Sequence, residues 1–118
     1  MSEEQVRIYV KLLQVLQKAN PTDRRRILET ADPEFILLIC NCFLNIIRGS
    51  LPLPPVAERK LAKYAKLMKE IATKGKKTAA VRRKRKLLMQ HGGFLPALLT
   101  PVIALAGGLI GELIAKNI

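Results

Sequence analysis

Residues 71–93 contain no acid, the whole chain has one histidine and two cysteines, and aromatic residues make up only 4% of it. Each shortage excludes something. One histidine (His91) and two thiols fall short of a metal-ligand set, so no metal or other cofactor is expected. Catalysis has no foothold either. His91 sits in a glycine-rich junction, and Cys40 and Cys42 lie in an apolar run. The acids Glu3, Glu4, Asp23, Glu29, Asp32, Glu34, Glu58 and Glu70 mostly stand at helix starts or beside bases, where capping and ion pairing account for them. There is no GxGxxG, P-loop or paired-carboxylate pattern, and the reading is of a protein that is not an enzyme. Cysteines two apart on a helix do not face each other, so Cys40 and Cys42 read as reduced, buried thiols of an intracellular protein. The start MSEEQVRIYV has neither a basic nor an apolar signal region, and Ser2 stands where N-myristoylation needs glycine.

What the chain does have is positive charge, unevenly placed. At 118 residues it is one small domain with extensions. Residues 1–70 hold 12 bases and 8 acids, residues 71–93 hold 8 bases and no acid, and residues 94–118 sum to zero. Two thirds of the formal charge of +12 thus falls in about a fifth of the chain. Such segments are aimed at nucleic acid, anionic lipid or an import receptor.

Helical spacing runs through the first 73 residues and predicts an all-α fold, a three- to four-helix bundle. Ser2 with Glu3 and Glu4 starts a helix carrying Val6, Tyr9, Val10, Leu13 and Leu16, widened by Ile8, Leu12 and Val15 and stopped at Asn20-Pro21. Thr22 or Asp23 caps a short second helix to about Ala31. Asp32-Pro33 restarts the chain. Phe35–Ile47 is apolar nearly all round, suits the centre of a bundle, and at 13 residues is too short to cross a bilayer. Gly49 ends it, and Ser50–Pro55 is a stiff connector. One helix over about 56–73, with the stripe Leu61, Tyr64, Ala65, Met68 and Ile71, closes the bundle. A core from residues 1–73 alone is small, which invites homo-oligomerisation.

Residues 74–93 read as a flexible polycation. Its cations Lys74, Lys76, Lys77, Arg82, Arg83, Lys84, Arg85 and Lys86 are the candidate nucleic-acid contacts. No aromatic interleaves with them, so contact is to phosphates and neutral to sequence. The RRKRK run also has the composition of a nuclear localisation signal or an anionic-lipid reader. Residues 94–118 are a hydrophobic helical tail. Phe94, Leu95, Leu98, Leu99, Val102, Leu105, Leu109 and Leu113 are its candidate membrane or capsid contacts, and Gly107 and Gly111 form a small GxxxG packing face. The apolar run Phe94–Gly111 is 18 residues, at the lower edge of a membrane span.

The stretch KRKLLMQHGGFLPALLTPVIALAGGLIG, with ICNCFLNIIRGSLPLPP upstream, resembles small basic proteins encoded by Maverick/Polinton elements and adintoviruses. Those look like the adenovirus core protein X, the mu precursor, and share features with the adenovirus membrane-lytic minor capsid protein. The resemblance spans about residues 35–118. It implies a minor virion component found in the virion and host nucleus. Such a protein would hold packaged double-stranded DNA through Arg82–Lys86 and meet capsid proteins or membrane through the tail. It also implies a viral cysteine protease as partner, with Gly92 and Gly93 as a candidate cleavage point; a plain hinge is the other reading of that pair. The alternative is a tail-anchored cellular protein on an intracellular membrane, with a cytosolic helical interaction domain.

Overall fold

Polar caps set the first three helices of the computed structural model, which describes residues 2–49, 53–73, 75 and 77–104. The Ser2 hydroxyl accepts the Gln5 N–H at 3.1 Å and opens α1 (Glu3–Lys18). Asn20, rather than Thr22 or Asp23, caps α2 (Pro21–Thr30). Its Oδ1 accepts the Asp23 N–H at 2.8 Å, and Pro21 takes the first helical position, where its missing N–H costs nothing. Asp32 and Pro33 repeat the device for α3 (Pro33–Ile47), with Asp32 Oδ1 accepting the Phe35 N–H at 2.8 Å. Past its end Gly49 has a φ of 74°, a left-handed turn that glycine makes without strain.

Four more α-helices and a 3-10 turn follow among the described residues. The helix expected over 56–73 is two, α4 (Pro55–Ala62) and α5 (Ala65–Ala72), parted by a turn at Lys63–Tyr64. The two halves serve different partners: α5 lies along α3, while α4 leans on the last helix. Then come α6 (Thr78–His91), a 3-10 turn at Gly92–Phe94, and α7 (Leu95–Ala104). The fold is all-α, with more and shorter segments than the bundle expected.

The core forms around α3, whose Phe35, Ile36, Leu38, Ile39, Cys42 and Phe43 are fully enclosed. Asn41 and Asn45 are buried with them. α5 and α6 pack on α3, α2 packs on α6, and α1 packs on α7. Ile8 and Val15 lie 56% and 55% exposed, outside the buried face of Tyr9, Leu13 and Leu16.

Two sequence expectations are corrected here. Residues 78–91 are not a flexible polycation but a helix, because Val81, Lys84 and Leu88 at helical spacing enter the core. A lysine in that stripe hides it from any hydropathy pattern. Nor is the bundle complete at residue 73. Phe94, Leu95, Leu98 and Leu99 are 4% exposed or less and sit in the same core as α1 and α3. The Phe94 ring lies 5.6 Å from Phe43 and stacks 5.1 Å from Tyr64. Lys74, Lys76, Leu105, Gly107, Leu109, Gly111 and Leu113 lie outside the described residues, and Val102 lies within α7.

A part-buried polar knot joins α1 to the start of α3. The Tyr9 O–H donates to the Asp32 carboxylate at 3.0 and 3.1 Å and approaches Glu34 Oε2 at 3.3 Å. Gln5 Nε2 donates to Glu34 Oε2 at 2.9 Å. Burial, then Asp32, pushes the Tyr9 hydroxyl up to about 12; burial pushes the Cys40 thiol to about 11 and the Cys42 thiol to about 12. These groups hold their protons longer folded than unfolded. Their contribution to stability is therefore whole below the unfolded values, about 9 for thiols and 10 for tyrosine, and is lost as pH rises through 11 to 12. Urea unfolding should show stability falling from about pH 9 upward. Tyr9→Phe should cost about 1 kcal/mol at neutral pH and flatten the part of that fall above pH 10. An unchanged alkaline slope in Tyr9→Phe would rule out this role for the hydroxyl.

Candidate nucleic-acid interface

Five consecutive cations on a helix cannot share a direction, since each residue turns the next by about 100°. α6 divides the run Arg82–Lys86 into outward and inward members. Arg82 and Lys86, one turn apart, are exposed. Arg83 is 41% exposed by its side chain and faces Glu70 at 3.8 Å, a surface pair worth little in water. Lys77, at the start of α6, is exposed, and no acid stands in the helix's first turn. The positive end of the α6 dipole and Lys77 therefore add their fields there.

The inward members act as helix caps. Lys84 is 2% exposed, and its ammonium donates to the carbonyl oxygens of Thr73 at 2.6 Å, Ala72 at 3.2 Å and Ile71 at 3.3 Å. These carbonyls belong to the end of α5, where backbone acceptors lack helical partners and the dipole is negative. Burial pushes the Lys84 ammonium below the ordinary lysine value, and the neighbouring Arg83 adds to this. The three carbonyls oppose that shift by binding the charged form. The Cys40 thiol donates to the same Ile71 oxygen at 3.9 Å.

Arg85 does for α2 what Lys84 does for α5. Its Nη1 donates to the carbonyls of Leu28 and Ala31, each at 2.6 Å, and to Glu29 at 3.3 Å. α2 has no basic residue in its own last turn, so the cation that satisfies its end comes from 54 or more residues later. Nothing in the sequence marks these two among five like neighbours. The only trace is that Lys84 falls in register with Val81 and Leu88.

Other sequence candidates are placed differently from expectation. Gly92 is buried, and a methyl there would meet Leu95 Cδ1 at 3.5 Å, Arg24 Nε at 3.6 Å and Leu28 Cδ1 at 3.7 Å. Gly93 is exposed, with no atom within 4 Å of an added Cβ. The pair thus begins a helical turn joining α6 to α7. As a nuclear signal read in linear order, Arg82–Lys86 is split by the helix, with Lys84 and Arg85 turned in. Phe94, Leu95, Leu98 and Leu99 are enclosed by protein.

Further exposed cations lie on the helices packed against α6. Arg25 and Arg26 are on α2, and Lys66 and Lys69 are on α5. Among the described residues no three His, Cys, Asp or Glu side chains come together as a metal site, and no single helix is long and apolar enough to cross a membrane. The arrangement suits contact with polyanions through exposed point charges. Comparison of the chain with family models, with curated proteins and with solved structures gives no match.

Proposed function

We propose that this is a non-enzymatic, DNA-associated minor virion or core protein of the Polinton and adintovirus kind. It would hold nucleic-acid phosphates through the outward cations of α6 and engage membrane or capsid through its hydrophobic C-terminal segment. One observation carries the nucleic-acid half of the reading. α6 has no acid, and it keeps Arg82 and Lys86 in solvent one turn apart after two of their neighbours have been spent on helix ends. Arg83, partly exposed, lies beside them, and Lys77 is exposed at the start of the helix. Each phosphate neutralised releases counterions, so binding is tight at low salt and fades as salt rises. Without aromatic side chains on the α6 surface there is no stacking platform, and double-stranded DNA of any sequence serves equally.

Fluorescence anisotropy with random-sequence duplex DNA over a salt series tests the reading. The slope of log affinity against log salt should be about −3 if Arg82, Arg83 and Lys86 each neutralise one phosphate. The double variant Arg82→Ala/Lys86→Ala should lower the slope by about 2 units, weaken all duplexes alike, and leave the melting temperature unchanged. Undiminished affinity in that variant would remove the α6 surface as the binding site.

A further inference from the structure

The sequence offers residues 94 onward as the part that meets lipid, yet the structure spends the same side chains on closing the bundle. Phe94, Leu95, Leu98 and Leu99 recur at the spacing of one helix face, and that face is the one α7 turns inward. It packs chiefly on α1 and also on α4, with Phe94 wedged between Phe43 and Tyr64. Ile103 is partly buried against the same core. Among the described side chains, the outward face of α7 shows Ala97 and Thr100, neither of which gives a lipid surface much to bind. The described outward side chains of a docked α7 thus offer little to lipid.

We propose that α7 is a latch. A lipid surface and the bundle compete for the same four side chains, so these four are latent until α7 leaves its slot and the bundle loosens with it. The inference rests on the membrane half of the function proposed above and adds the condition under which it operates. Three features suit a part that opens. The turn Gly92–Phe94 holds an exposed glycine, Gly93, with no atom within 4 Å of an added Cβ. Among the described residues, the polar tie between α7 and α1 is one exposed hydrogen bond, Gln17 Nε2 to Thr100 Oγ1 at 2.9 Å, which water can replace. The buried contacts are apolar, and an apolar acyl phase can substitute for them where water cannot.

The test pins the latch shut in the full-length protein. Gln17→Cys and Thr100→Cys place two thiols across the α1–α7 contact, within reach of a short bis-maleimide, while Cys40 and Cys42 are 2% and 0% exposed and stay unreactive in the folded chain. Dye release and flotation are measured with phosphatidylcholine–phosphatidylserine vesicles. The linked protein is compared with the same double variant capped singly by N-ethylmaleimide. Release by the capped protein, slowed at least about tenfold by the link and restored when a cleavable linker is cut, is the expected result. Equal release by linked and capped protein would overturn the latch and leave the membrane reading standing. No release or flotation by either, with DNA binding retained, would remove the membrane reading and the latch with it.

Discussion

A chain ended at Gly93 is expected not to fold cooperatively. The cut removes Phe94, Leu95, Leu98 and Leu99, all enclosed in the core. Burying side chains of that kind is worth about 1.5–3 kcal/mol each, so the loss is roughly 6–12 kcal/mol before the compactness of the unfolded chain is counted. A domain of this size has a total stability of about 5–15 kcal/mol. The fragment 1–93 should therefore keep part of its helical circular dichroism, lose its sharp thermal transition and bind a hydrophobic dye through the bared faces of α1, Phe43 and Tyr64. A sharp transition near that of the full chain would show that residues 1–93 close a core without α7. The milder change Leu98→Ala, which leaves a cavity, should cost about 2–5 kcal/mol in the full-length protein.

The second large effect separates the cations of α6 by role. Lys84→Met keeps the apolar stem of the side chain but withdraws the ammonium from the carbonyls of Ile71, Ala72 and Thr73. Buried acceptors left without a donor cost about 1–3 kcal/mol, and α6 would loosen from α5 and α3. The melting temperature should drop by about 10 °C. Arg85→Ala should act similarly by freeing the end of α2. Arg82→Ala and Lys86→Ala, on the exposed side, should stay within about 0.5 kcal/mol of the parent. DNA binding should rank the other way, falling most for Arg82 and Lys86 at temperatures where every variant is folded. A Lys84→Met protein as stable as its parent, yet weaker on DNA, would invert the assignment.

The place where sequence reasoning went furthest astray is the stretch it found most telling. RRKRK is conspicuous as a block of charge, and a block suggests a solvated, unstructured segment. A helix reads those residues by angle rather than by sum. Val81, Lys84 and Leu88 share one side, so an ammonium enters the interior where three carbonyls are waiting for it. Residues 78–91 are therefore a helix whose net charge overstates the number of cations free to meet phosphate. The tail misled in a complementary way. Phe94–Leu99 is apolar enough for a bilayer, and equally so for a protein interior. Hydropathy reports the preference to leave water and is silent on where the side chain goes.

Local chemistry was legible without the fold. Ser2 at the start of α1, Asp32-Pro33 at the start of α3 and Gly49 after its end follow from short-range hydrogen bonding and backbone sterics within a few residues. The all-α class and the central place of α3 follow from helical spacing and an all-round apolar surface. Which of five cations face inward, which helix splits at Lys63–Tyr64, and what covers α1 were decided only in three dimensions. Those outcomes depend on partners 54 residues away for Arg85 and Ala31, and 83 residues away for Gln17 and Thr100. A side chain's neighbours at that distance are set by how the helices pack, and packing energy belongs to the assembled core rather than to any one segment of it.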